Sequence, residues 1–206
     1  MFVREVFAVS DPTEVAAILA SVRLGCLITH DAQGLCATHL PFLHHAARNV
    51  FAGHIARENG HWTRAGETDA LIVFQGADAY VSPSWYPSKA AHGRVVPTWN
   101  YEAVHVHGRL SWLSDPARLR AHLSALTDRL ETGRPDPWAV SDAPDDYIAR
   151  MLGQVVGVEV AVERVEVMRK LSQNRPTADR AGVVAGLSAS AKAGDRAVAE
   201  KMRKLD

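Results

Sequence analysis

His105 and His107 stand two residues apart, a spacing that on a β-strand puts both imidazoles on one face, and His39 and His54 close two other apolar runs. Neutral imidazole is a frequent zinc or iron ligand, so four histidines brought together would be able to hold such an ion. Yet no glutamate or cysteine stands at ligand spacing among them, and aromatic residues surround the later pair. Histidines that are hydrogen-bonded in the structure, or that touch an organic ligand, explain this pattern better than a metal centre, and no metal is expected. Arg57 offers a different chemistry. In Gly53-His54-Ile55-Ala56-Arg57-Glu58-Asn59 a strand passes toward a helical turn, and free N–H groups at a helix start beside a guanidinium suit a phosphate. Taken alone, the heptad favours a solvated arginine paired with Glu58 or Glu67.

The stretch Asp78–Gly108 concentrates Tyr80, Trp85, Tyr86, Trp99 and Tyr101 with Pro83, Pro87 and Pro97. Rings beside prolines make a stiff surface with flat faces and polar tips, suited to a planar ligand or a second subunit. Hydrolase chemistry is not supported: Ser82, Ser84 and Ser88 sit in no nucleophile elbow, and no acid is placed to orient a histidine toward them. Glycine fingerprints for dinucleotides and phosphate loops are absent, and no stretch reads as a helix-turn-helix. The basic residues near the C-terminus, Lys192, Arg196, Lys201, Arg203 and Lys204, are diluted by Asp195, Glu200 and Asp206 and read as a solvated helix face.

The elements that must position these groups follow from the apolar periods. Asp11-Pro12-Thr13-Glu14 is a helix start, with an acid at the cap, proline at the first helical position and glutamate behind it. Leu24–Thr29 and Leu35–Leu40 read as a hairpin, with Pro41 bending the second strand away from regular pairing. Asn49–His54, Ala70–Gln75 and Ala79–Ser82 read as further short strands, and a longer one lies within Val95–Leu113. Asp115-Pro116 starts a helix whose Leu119, Leu123, Leu126 and Leu130 form an apolar seam, and Asp145–Leu152 is a short helix. Val155–Met168 is a strand whose apolar parity changes, which predicts a bulge or bend near Glu163-Arg164. Asp195–Leu205 reads as a terminal helix. Hairpin-length links imply antiparallel pairing, hence an α+β protein on an antiparallel sheet or small barrel.

With 206 residues, 47% of them hydrophobic, the chain can bury one sizeable core, and 23 basic residues balance 23 acidic ones. No overall electrostatic drive toward nucleic acid or anionic membrane results. Cys26 and Cys36 lie in apolar runs without metal-knuckle spacing and read as reduced core thiols. Without a signal peptide, lipidation signal or transmembrane run, a cytoplasmic location and no membrane partner are expected.

Taken together, Ala37–Phe42, the Gly53–Asn59 heptad, Asp78–Lys89, Val96–Tyr101, Val104–Gly108 and Lys170-Leu171-Ser172-Gln173-Asn174-Arg175-Pro176 closely resemble the PaiB family, also described as FMN-binding negative transcriptional regulators. The resemblance implies an antiparallel split β-barrel of about six strands with flanking helices, with residues 1–190 as the FMN-binding domain and 191–206 as a helix packed on or beside it. It implies FMN as cofactor at a homodimer interface, and DNA as a partner through the family's regulatory description alone. It also favours the phosphate reading of Arg57. Thr38, His39, Leu40 and Pro41 would lie along the isoalloxazine, with His54, Ala56, Arg57 and Asn59 at the phosphate end. Trp85, Tyr86, Trp99 and Asn100 would flank the ring or close the dimer, and Lys170, Gln173 and Arg175 would add polar contacts. Gly60 stands where many relatives carry proline, which loosens the turn. The alternative to a regulator is an FMN-dependent oxidoreductase of the flavin-reductase or pyridoxamine-phosphate-oxidase type.

Overall fold

Residues 1–205 are described by a computed structural model in which six strands close into a barrel. In chain order the strands are β1 (Leu24–Asp31), β2 (Gly34–His45), β3 (Val50–Ala56), β4 (Thr68–Val81), β5 (Thr98–Leu113) and β6 (Val155–Lys170). Around the ring the order is β1-β2-β3-β6-β5-β4, and the pairings of β1 with β2 and β4, and of β3 with β2 and β6, are antiparallel. Seven helices accompany them: α1 (Pro12–Ser21), α2 (His61–Arg64), α3 (Pro87–His92), α4 (Pro116–Glu131), α5 (Asp145–Leu152), α6 (Thr177–Ser188) and α7 (Ala193–Arg203). The antiparallel barrel with flanking helices is the architecture expected from the sequence.

The chain divides into two compact units, one of residues 16–74 and 105–165, the other of residues 1–15, 75–104 and 166–205. In the first, Leu27, Phe42, Phe51, Ile72, Phe74, Val106, Leu110, Val158 and Val160 form the core, each at most 3% exposed. Phe42 meets the rings of Phe51 and Phe74 edge-on. Strand β1 turns Gly25, Leu27 and Thr29 inward. That parity buries a threonine hydroxyl, which then needs a partner inside the fold. Gly108 leaves no room for a side chain, since a Cβ there would collide with the Ala161 carbonyl.

In the second unit, Ala79, Val81, Tyr86, Leu171, Val183 and Leu187 pack with Val198, Ala199 and Met202 of α7. Trp85 lies on a glycine strip of α6, its backbone against Gly182 and its indole against Gly186. Larger residues at either glycine would displace it. Glu102 collects Arg169 at 2.7 Å and Lys201, while Arg169 also reaches Glu14.

Several local expectations change. Pro41 does not end regular pairing: it sits opposite Leu24, and from Phe42 onward β2 pairs with β3. The missing N–H therefore falls at the changeover between two neighbours. Ala70–Gln75 and Ala79–Val81 are parts of one strand, β4, and Ser82 lies just beyond its end. Its buried positions switch from Ala70, Ile72 and Phe74 to Ala79 and Val81 where the chain leaves one unit for the other. Strand β6 behaves likewise, with Val156, Val158 and Val160 buried and then Val167, so the expected parity change is present within a continuous strand.

Candidate cofactor site

The expected site residues divide between the two units. In the first, the heptad is strand as far as Ala56 and then turns, and the helical residues begin only at His61, as the single turn α2. His61 is 1% exposed. Its Nε2 lies 2.8 Å from Thr29 Oγ1 and its Nδ1 lies 2.9 Å from Thr38 Oγ1. The turn is tied back on itself: the His61 N–H donates to Asn59 Oδ1 at 2.9 Å, and Asn59 Nδ2 donates to Thr38 Oγ1 at 3.4 Å. Burial holds the His61 imidazole below the ordinary histidine pKa, so the neutral ring, with one donor and one acceptor nitrogen, is the resident form. Thr38 and Asn59, read from the sequence as contacts to opposite ends of a ligand, are thus joined through a histidine that motif reasoning did not single out.

Arg57 is exposed, yet its guanidinium is anchored. Nε donates to the Gly153 carbonyl at 2.8 Å and one Nη to the Val155 carbonyl at 3.1 Å, which covers the C-terminal end of α5 and the start of β6. The group also stacks over Trp62, 5.7 Å from the ring centre, and Trp62 Nε1 donates to the Arg57 carbonyl at 2.7 Å. A guanidinium carries five N–H bonds, so donors remain for a further acceptor while two hold the fork in place. Beside it lies a cleft of about 350 Å³ walled by Pro116, Leu119, Ala149 and Leu152.

The other expected residues of this unit differ in what they offer. Leu40 is 2% exposed and belongs to the core, so its backbone alone is available to a ligand. His39 is exposed and Pro41 half-buried. His54 packs on His122 of α4, with ring centres 5.7 Å apart. His54 Nδ1 and both His122 ring nitrogens are buried without a hydrogen-bond partner. Burial lowers both pKa values, that of His122 to about 4, and the neighbouring imidazole adds to the effect at His122. In α4 the residue facing inward with Leu119 and Leu126 is His122, while Leu130 is exposed, so the leucine seam contains an imidazole.

In the second unit Tyr86 is buried, its hydroxyl has no hydrogen-bond partner, and Arg175 lies over its ring at 4.9 Å. Asn100 is fully buried, with both amide atoms within 3.1 Å of Ser172 Oγ. Gln173 braces its own loop, accepting from the Leu171 N–H and donating to the Arg169 carbonyl. The Lys170 ammonium donates to Thr98 Oγ1 at 2.8 Å, and burial lowers its pKa. Trp85 is engaged with α6, whereas Trp99 is 48% exposed, donates to Asp78 at 3.1 Å and meets Tyr80 edge-on. In the first unit His105 and His107 remain neighbours, with ring centres 6.4 Å apart.

The donor set fits a flavin mononucleotide. Arg57 has unspent N–H groups for a phosphate, and Thr38 presents a small neutral polar group for the carbonyl-bearing ring. Comparison with known proteins bears on the same point. The family described as "Putative FMN-binding domain" matches residues 1–164. A Bacillus subtilis protein named "Protease synthase and sporulation protein PAI 2" is 31% identical over 205 residues, covering 98% of this chain and 96% of its own. Among solved structures, the FAD and heme binding protein from Mycobacterium smegmatis superposes with a TM-score of 0.58 at 16% identity, covering 79% of this chain and 73% of its own. The flavocytochrome Anf3 from Azotobacter vinelandii gives 0.57 at 16% identity, covering 80% and 69%. These last two show the shared fold, and the match across most of the chain shows the lineage: the protein belongs to the FMN-binding domain family that includes PaiB, and its cofactor is FMN.

Proposed function

We propose that the protein is a PaiB-type regulator that binds FMN through the Thr38–Asn59–Arg57 turn and works as a homodimer. The observation that carries the binding half is the anchored Arg57 fork, joined by a short turn to the hydrogen-bonded Thr38, His61 and Asn59. FMN supplies one- and two-electron chemistry when bound, and the protein's part is to hold and tune it. The regulatory half is supported by the similarity, over 98% of this chain, to the "Protease synthase and sporulation protein PAI 2", whose name places it in sporulation. The dimer is supported by large apolar side chains left in solvent in the second unit, Tyr80 at 48%, Val96 at 65% and Trp99 at 48% exposed.

An absorption spectrum of the purified protein and a titration of FMN fluorescence test the binding; a colourless protein that does not quench FMN removes the proposal. Salt-dependent gel shifts on the protein's own upstream DNA, run beside NAD(P)H oxidation, separate the roles. Turnover of NAD(P)H without a shift makes the protein an oxidoreductase instead. For the dimer, Trp99→Glu should convert a species of about twice the chain mass in sedimentation to a monomer, because a charge on a buried apolar contact is poorly tolerated. Unchanged sedimentation places the subunit contact elsewhere.

A further inference from the structure

We propose that His61 is a positioning residue that fixes the direction of the Thr38 hydroxyl, making Thr38 a hydrogen-bond donor to the acceptor edge of the FMN ring; the ligand named here rests on the FMN reading above. Asn59, Thr38 and His61 form a hydrogen-bonded ring closed by the His61 backbone N–H, and Thr29 is attached to it at His61.

Asn59 Oδ1 accepts from the His61 N–H, so the other end of the amide is Nδ2, a donor, and it faces Thr38 Oγ1. The neutral His61 ring bonds Thr29 through Nε2 and Thr38 through Nδ1, which leaves two tautomers. If Nε2 carried the proton it would donate to Thr29, and Thr29 would then have to place its own O–H elsewhere. Thr29 is 2% exposed, and among the described residues its hydroxyl has His61 as its hydrogen-bond partner and no other. The nearest acid along β1, Asp31, is occupied by both nitrogens of the Arg64 fork at 2.9 and 3.0 Å and by the Gln33 N–H. A buried O–H without an acceptor carries the full desolvation cost, whereas a hydroxyl oxygen with a spare lone pair does not.

The Nδ1–H tautomer avoids that cost. Thr29 donates to Nε2, and Nδ1–H donates to Thr38 Oγ1. Thr38 then receives two donors, from His61 and Asn59, and its own proton is unspent. Thr38 is half-buried on β2, so its hydroxyl, unlike that of Thr29, is not fully enclosed. The flavin ring offers carbonyl oxygens and unprotonated ring nitrogens as acceptors, and negative charge on reduction collects on the same edge. A donor fixed there favours the reduced form, in the way that any preorganised donor favours developing charge.

The experiment has two readouts. Long-range proton–nitrogen correlation on the ligand-free, nitrogen-15-labelled protein at neutral pH should show His61 protonated at Nδ1; protonation at Nε2 overturns the proposal. FMN titration and the midpoint potential of the bound flavin should then follow the Thr38 hydroxyl. Thr38→Val should weaken FMN about 5- to 10-fold and lower the potential, while Thr38→Ser stays close to the wild type. His61→Asn, whose amide N–H takes the place of Nδ1–H, should retain affinity within about 3-fold. His61→Leu should lose as much as Thr38→Val, and the double variant no more than either, since both act through one hydroxyl. Thr38→Val with wild-type affinity and potential overturns the proposal even if His61→Leu is unstable. A wild type that does not bind FMN removes the ligand together with the reading it rests on, and the tautomer still decides whether Thr38 is a donor.

Discussion

Arg57→Ala should raise the FMN dissociation constant by about 10- to 100-fold, the range expected when a charge-assisted donor to an anion is removed. The size of the effect comes from preorganisation. The Arg57 fork is held by the Gly153 and Val155 carbonyls and by the face of Trp62, so little side-chain entropy is left to lose when a phosphate arrives. Arg57→Lys keeps the charge and loses the planar fork; it cannot hold both carbonyls and present a second pair of donors. It should therefore fall between wild type and Arg57→Ala. Fluorescence titration of FMN at two salt concentrations measures all three, and the wild type should be the most salt-sensitive. Because Arg57 is exposed, its replacement should move the melting temperature little, which separates a binding defect from a folding one. An unchanged dissociation constant would falsify the assignment of the phosphate to this turn.

The second large effect is a loss of stability in mild acid, of which a single substitution removes the largest share. Burial depresses the His122 pKa from 6.5 to about 4, and that of His54 in the same direction. A histidine whose folded pKa is depressed binds its proton more readily in the unfolded chain, so stability is complete above the unfolded pKa of about 6.5 and falls as the pH drops below it. For His122 the fall ends near pH 4 and amounts to about 3 kcal/mol. His45 lies close enough to add repulsion at His122, and Glu159, shared between Arg48 and Arg118, offsets part of it. Asp31 and Asp179, held low by Arg64 and Ser88 respectively, lose their contributions only in stronger acid, so the windows are distinct. His122→Leu, which extends the seam of Leu119 and Leu126, should reduce the fall in melting temperature between pH 6.5 and 4, the remainder belonging to His54 and His61, and raise it at pH 5. A variant with the wild-type slope would assign the acid sensitivity to other groups.

Both effects depend on residues of unequal legibility. Arg57 was legible through the family resemblance, since charge and spacing alone favoured a solvated arginine. His122 did not: its position in the helical period was visible, but a helix with Leu119, Leu123, Leu126 and Leu130 reads as a leucine seam, and the imidazole passes as an incidental neighbour. Its burial opposite His54 depends on a strand far away in sequence. The same holds for His61, whose partners Thr29 and Thr38 lie on β1 and β2. Pro41 shows the reverse failure, in which a local rule predicted a break and the change of strand partner absorbed it.

The strands, the capped helices α1 and α4, the short helix α5, the antiparallel class and the residues that mark the FMN-binding family were all determined by the sequence itself. They rest on local quantities: side-chain period, proline and cap chemistry, and short motifs whose residue types are unusual together. Ring closure, the joining of Thr38 to Asn59 through His61, the anchoring of Arg57 on carbonyls nearly a hundred residues away and the unpartnered His54–His122 pair were decided only by the tertiary structure. Each of these is a pairing between distant segments, and the hydrogen-bonding state of a polar group is a property of the partner it meets rather than of the residue itself.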